Sequence, residues 1–279
     1  LSGTAFALNS EKRSNFRIMK RLIFAITILA TIPVFAGGGQ APVYRKINNT
    51  AFKRGEELTY RVHYGAVNAG VALMQIDQTN KLVFGRPTFH AVGKGNSIGA
   101  FDWFFKVRDH YETYIDEEAM MPWIFIRRVD EGGFKINQNQ TYDHNLGRVN
   151  SNGKMMSVPK YIQDMISGFY YARTFDFANA KVDQVFEVPT FIDDSIWTMK
   201  LKFKGRETIK TDLGKVKCLK FAPVVQTGRV FKKEEDMLVY VSDDVNKVPM
   251  RATASILVGT IKLDLTGTKG LVQPLTIVK

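Results

Sequence analysis

The sequence predicts an all-β, mainly antiparallel fold: a curled sheet or a spiral, half-open β-barrel, with one amphipathic helix near 158–173. Three observations carry this. Apolar and polar residues alternate with period two along much of the chain, as in strands with one buried face. Glycine- and asparagine-bearing turns separate these runs at hairpin spacing. Only one segment has a helical stripe, so the crossovers that parallel strands require are missing.

The chain of 279 residues opens with a segment of a different kind. Met19, Lys20 and Arg21 form a basic start, Leu22–Ile32 is apolar but for Thr27 and Thr31, and Pro33 precedes Val34-Phe35-Ala36. This order reads as a secretory signal peptide over 19–36, cut near Ala36. It places the rest of the chain in the periplasm. The apolar run is shorter than the ~20 residues that span a bilayer. Residues 1–18 precede this natural start and read as a non-native upstream extension. Residues 37–279 read as a single β-rich periplasmic domain, long enough to bury a large core. Gly37–Asn49 is expected to be a mobile lead-in.

Within the domain, Leu58, Tyr60, Val62 and Tyr64 alternate with Thr59, Arg61 and His63. Phe101, Trp103, Phe105 and Val107 alternate with Asp102, Phe104 and Lys106, which predicts a second, aromatic strand. Trp197, Met199, Leu201 and Phe203 share one face, with Thr198, Lys200 and Lys202 on the other. The same alternation runs through Met250–Val258 and Ile261–Leu265. Glu131-Gly132-Gly133, Asn150-Ser151-Asn152-Gly153 and Asp212-Leu213-Gly214 supply the turns. A sheet of this length curls on its own twist.

The helical exception is Val158–Arg173. Ile162, Met165, Ile166, Phe169 and Tyr170 fall on one stripe, Ser157 is placed to cap it, and Pro159 suits a first turn. The helix would lie across the sheet. Gly168 within it weakens the pattern.

Net charge is +12. A basic balance suits peripheral contact with an anionic membrane. Nucleic acid is not an expected partner, because the export signal conflicts with that role. The single cysteine, Cys218, allows no internal disulfide and sits in the strand-like Val216–Phe221, where a thiol packs as a small hydrophobe.

Catalytic patterns are weak. His63, His90, His110 and His144 form no metal-type spacing. Ser151-Asn152-Gly153-Lys154 matches Ser-x-x-Lys but reads as a hairpin tip, not a helix start. Gly93–Gly99 has the wrong order for a phosphate loop, and adjacent acids at Asp193-Asp194 and Asp243-Asp244 read as turns. No cofactor, metal or catalytic residue is expected, and the protein is read as non-enzymatic.

Several fragments together resemble an uncharacterised family of exported bacterial proteins, domain-of-unknown-function family 3108. They are Phe52–Tyr60 with Tyr64-Gly65 and Ala69-Gly70; Asp109-His110-Tyr111 with Met121-Pro122-Trp123; Phe169–Arg173; Gly205–Ile209 with Thr211–Gly214; and Tyr240–Asp244 with Val248-Pro249-Met250 and Val258–Ile261. The resemblance implies an envelope setting and a β-rich form like the curled-sheet lipoprotein carriers. It brings no activity and no site residues.

The expected function is to bind an apolar ligand or lipid in the curled sheet. Trp103, Phe105, Met165, Phe169 and Tyr170 are the candidate lining, and basic rim residues would meet an anionic headgroup. The alternative is an envelope scaffold with a fully packed core that contacts an envelope protein. A hydrolase of envelope polymers ranks below both.

Overall fold

The computed structural model describes residues 42–224, 236–255 and 259–278. The signal-peptide and upstream-extension readings at 1–36, and the end of the alternating run at 256–258, lie outside the described residues.

Residues from Tyr44 onward form one compact unit built on a single sheet. The first half of the sheet is a meander of β1 (Glu57–Tyr64), β2 (Val67–Ile76), β4 (Arg86–Ser97), β5 (Arg108–Asp116), β6 (Pro122–Glu131), β7 (Phe134–Asp143), β8 (Arg148–Ser151) and β9 (Lys154–Ser157). The short β3 (Lys81–Val83) adds a hairpin to β4. The second half runs through β10 (Val185–Ile192), β11 (Ser195–Thr211), β12 (Gly214–Val224), β13 (Met237–Ser242), β14 (Pro249–Ser255) and β15 (Thr260–Lys269). A short β16 (Ile277–Val278) pairs with β12. All strand pairs are antiparallel and most join neighbours in sequence; β2 pairs β4 past the β3 hairpin, β16 returns to β12, and β15 returns to β1, Glu57 opposite Lys269. That last pairing joins the halves and leaves β9 and β10 as the free ends of the path, so the sheet is not closed into a barrel.

Local chemistry sets the turns. Gly132 and Gly133 both take positive φ between Glu131 and Phe134, as do Asn152 and Gly153 between Ser151 and Lys154. These are the tight hairpin turns whose twist matches that of the strands. Asp193 and Asp194 do the same job without glycine, at φ 49° and 56°. A bulge between Phe203 and Gly205 bends the long β11.

The sheet curls, and side chains bring its distant parts together. At the β10–β11 turn, Arg127 of β6 donates to Asp193 at 2.6 Å and Gln138 of β7 donates to Asp194 at 3.1 Å. Gln163 and Thr190 make an isolated parallel bridge nearby.

The chain crosses from β9 to β10 through α2 (Met165–Ala172), shorter than the sequence predicts. Ser157 ends β9 instead of capping a helix, and Pro159 lies outside the first turn. The physical reason is a better cap farther on. Asp164 accepts N–H bonds from Ile166 and Ser167, both at 2.8 Å, while the Ser167 hydroxyl accepts from the Asp164 N–H. Upstream, Tyr161 takes φ 66° and Gln163 bonds to the β10 backbone, which a helix would forbid.

Ile166, Ser167, Gly168 and Tyr170 bury one face of α2. Ile166 and Tyr170 join a core with Ile76, Phe89, Ile115, Phe125 and Tyr142 from the first half. Each such side chain contributes about 1.5–3 kcal/mol by leaving water. A Cβ on Gly168 would meet Thr190 and Val188 at 3.5 and 3.6 Å, so the helix backbone lies close on β10.

Two further expectations are corrected. The predicted strand at Phe101–Val107 is instead the short helix α1 (Gly99–Phe104) followed by an extended return. Gly99 turns the chain at φ 56°, and the Asp102 carboxylate is drawn back to Ser97 Oγ and Arg108. The described part of the lead-in, from Tyr44 to Asn49, is anchored. Arg45 donates to the carbonyls of Ala119 and Met120 and lies between the rings of Tyr161 and Tyr171.

Candidate functional site

The sheet's second half borders an apolar cavity of about 650 Å³ beside α2. This volume falls within the ~300–1,000 Å³ typical of small-molecule sites. Met165, Phe169 and Ala172 line it from the helix, and Phe169 also packs against the core. Trp197, Met199 and Leu201 line it from β11, and Phe221, Val239 and Val241 from β12 and β13. The β11 residues share the face that period-two alternation marks as buried. They are only half-buried in the structure, because the cavity lies where a packed layer would be.

The floor is aromatic. Phe177, Phe203, Leu219 and Phe221 form a separate cluster, with Phe177 and Phe221 rings 4.9 Å apart. Phe177, five residues past the helix, lines the cavity together with Phe221.

Three charged side chains reach the lining. Asp193 at the rim is paired with Arg127. Arg173 is fully engaged: Nη1 and Nη2 bond Glu56 at 2.6 and 2.7 Å, and the guanidinium also donates to the carbonyls of Ala51 and Asn246. Both members of this pair are buried, so the pair organises the junction between helix, β1 and the β13–β14 turn. The third is Lys247. It sits in a turn held by Asp244, whose carboxylate accepts from Ser242 Oγ and from the Asn246 and Lys247 N–H groups. The Lys247 backbone takes φ 47°. Burial pulls its ammonium below the usual lysine range, against the attraction of Asp176.

Of the five candidate lining residues, Met165 and Phe169 border the cavity. The other three are corrected. Tyr170 is completely buried in the packed core, with its ring 4.9 Å from Phe52, because its helix face points the other way. Trp103 and Phe105 lie elsewhere, since α1 replaces the strand that would have aimed them inward. Trp103 is 93 % exposed and Phe104 81 %, and they share one end of the sheet with Phe134 at 62 %. The α1 end and the β6–β7 turn are tied by the Gly132 N–H to Lys106 carbonyl bond at 2.8 Å.

Other titratable groups are accounted for by packing. Cys218 is buried, with its thiol pushed up to about 12 by burial. His144 donates from Nε2 to the Pro122 carbonyl and accepts the Tyr161 N–H at Nδ1, which fixes a neutral ring. Burial holds it down at about 4. Register brings together a group that linear spacing hides: Glu112 joins His90 at 2.8 Å and His110 at 2.7 Å. Among the described residues no group of three His, Cys, Asp or Glu could hold a metal ion. Asp109 and Glu131 form an acid pair that pushes Asp109 up to about 6, chiefly by burial, but neither lines the cavity.

The model of a protein family described as "Protein of unknown function (DUF3108)" matches residues 59–266. No curated protein matches the chain. Among solved structures, it resembles a β-barrel-like protein of domain of unknown function DUF1849 from Brucella abortus. That likeness has a TM-score of 0.50 at 8 % identity, over 82 % of this chain and 99 % of the other. A weaker likeness, TM-score 0.36 at 9 % identity, is to the hypothetical protein CT021 from Chlamydia trachomatis, over 79 % and 89 %. At such identities the first shows a shared fold alone. The chain belongs to the DUF3108 family.

Proposed function

We propose that this DUF3108 protein works outside the cytoplasm as a non-enzymatic carrier that holds an apolar ligand or lipid in its curled sheet. The observation that carries the reading is the cavity of about 650 Å³, walled by methionine, aromatic and aliphatic side chains from α2 and β11–β13. Burying a chain of methylenes there would yield about 25 cal/mol per Å² before the costs of association. The periplasmic address rests on the Met19–Ala36 pattern.

The test is native mass spectrometry of the protein purified from the periplasm, with organic extraction of the same sample. A discrete apolar adduct is expected. Met199→Trp, which fills the cavity, should lower its occupancy about tenfold or more. A clean apo mass that stays unchanged after incubation with envelope lipids sinks the carrier reading.

A second reading, peripheral docking on an anionic bilayer, is favoured by a separate observation: Trp103, Phe104 and Phe134 stand exposed together at one end. Aromatic side chains with an apolar body suit the membrane interface, and Lys106 beside them suits anionic headgroups. Wild type should sediment with phosphatidylglycerol vesicles, and the Trp103→Ser/Phe104→Ser double variant should not. Equal sedimentation of the two sinks this reading.

A further inference from the structure

Lys247 is the one charged group on the cavity wall that the protein leaves without a counter-ion among its described residues. Arg173 is neutralised by Glu56 and saturated with backbone carbonyls, and Asp193 is paired with Arg127. Among the described residues the Lys247 ammonium makes no direct hydrogen bond or ion pair. The carboxylates of Asp176 and Asp244 act on it only from longer range, while the Arg173 charge opposes its protonation.

The position of Lys247 is also built, not incidental. Its backbone occupies a left-handed conformation that costs energy for a side chain of this kind. The Ser242–Asp244 hydrogen-bond turn holds it there, and the Val248 N–H closes the turn on Ser242 Oγ at 2.9 Å. The next carbonyl upstream, that of Asn246, is clamped by Arg173. The turn therefore has little freedom to swing the lysine away from the apolar wall. A half-buried ammonium facing hydrocarbon is unfavourable unless something balances it.

We propose that the cavity takes a single-chain amphiphile with an anionic head, and that Lys247 binds that head while the chain lies against Met199, Leu201 and Phe221. This deepens the carrier reading and rests on it. A carboxylate head, as on a free fatty acid, and a phosphate head, as on a monoacyl glycerophosphate, share the chemistry that Lys247 recognises. An ammonium serves either as a point charge with three donors. Arg173 is the weaker candidate for the head, because its charge is already neutralised by Glu56 and its Nε and Nη2 donors are engaged by Asn246, Ala51 and Glu56.

The experiment is calorimetric titration of the full chain, stripped of lipid, with oleate, 1-oleoyl lysophosphatidate and methyl oleate. The ester reads the cavity alone, since it lacks charge. Wild type should bind at least one of the two anions about tenfold or more tighter than the ester. Lys247→Met keeps the aliphatic stem and should bring that ratio to about one. Lys247→Arg should restore the preference. Matched thermal midpoints show that the variants are folded. Whichever anion binds tighter in wild type assigns the source of the head. If wild type binds ester and anions equally, or if Lys247→Met keeps the preference, the headgroup site is wrong and the carrier reading stands. If no ligand binds wild type, both fail.

Discussion

The two halves of the sheet are built from the same kind of strand but have different interiors. Strands β2 to β8 place Phe89, Ile115, Phe125 and Tyr142 against one face of α2, and their shared core is closed. Strands β11 to β13 present an equally apolar face in Trp197, Met199, Leu201 and Val239, yet meet the opposite face of α2 across a cavity. The difference is not hydrophobicity. One eight-residue helix has two faces: Ile166 and Tyr170 on one are buried, while Met165 and Phe169 on the other are only partly covered by strands. An apolar sheet face without a packed layer is left as the wall of a cavity.

The sharpest way to break the comparison is at the joint between the halves. Arg173→Met would leave Glu56 buried and unpaired, and should cost about 3–5 kcal/mol of stability in urea unfolding. A loss below about 1 kcal/mol would mean the pair is not what fixes the helix to β1. A paired test of the two interiors comes next. Phe125→Ala in the closed core should cost about 3–5 kcal/mol, whereas Met199→Ala on the cavity wall should cost about 1 kcal/mol. Equal losses would show that the cavity collapses onto Met199 in solution.

The closed half should also carry an acid sensitivity that comes from a buried histidine. His144 is neutral and held at about 4, against an ordinary imidazole at about 6.5. Its unfolded form takes up a proton first, so the stability it lends is present above about pH 6.5 and is lost as pH falls towards 4. The loss is on the order of 3 kcal/mol. His144→Gln, which keeps a donor and an acceptor, should remove that part of the acid slope. Asp164 works in the other direction, pushed up to about 6 by burial. Its contribution falls as pH rises from about 4 to 6, and Asp164→Asn should flatten that limb. The smallest expected effect is at Cys218. Its thiol, buried and pushed up to about 12, should react with a thiol reagent only as fast as the protein unfolds. Rapid labelling of the native state would show that the second half opens locally.

Much of this arrangement was legible before any coordinates. Strand faces are local properties, since residues two apart must point the same way. The alternation at Leu58–Tyr64 and Trp197–Phe203 therefore matches β1 and β11, and Gly132-Gly133 and Asn152-Gly153 mark real hairpin tips. Two misreadings have a common cause. At Phe101–Phe105 aromatic residues occupy both faces, so the period loses its meaning, and Gly99 and Asp102 decide for a helix. At Ile162 the helical stripe continues through residues that instead bond to β10, because Asp164 is the stronger cap. The cavity lining was half visible. Met165 and Phe169 could be named from the helix stripe, but Tyr170 on the same stripe faces the other way, and one stripe does not tell which neighbour it meets.

The sequence by itself determined the all-β class, the strands at Leu58–Tyr64 and Trp197–Phe203 with their apolar faces, the hairpin turns at Gly132-Gly133 and Asn152-Gly153, and a helix before Arg173. These follow from side-chain periodicity and backbone preference over a few residues. Tertiary structure alone decided that β15 returns to β1, that Arg173 meets Glu56 across the joint, and that the apolar face of β11 borders a void with Lys247 beside it. Each of those depends on how far a long sheet curls and on where a short helix comes to rest. Curvature and docking are sums over many residues far apart in the chain, and no local pattern records them.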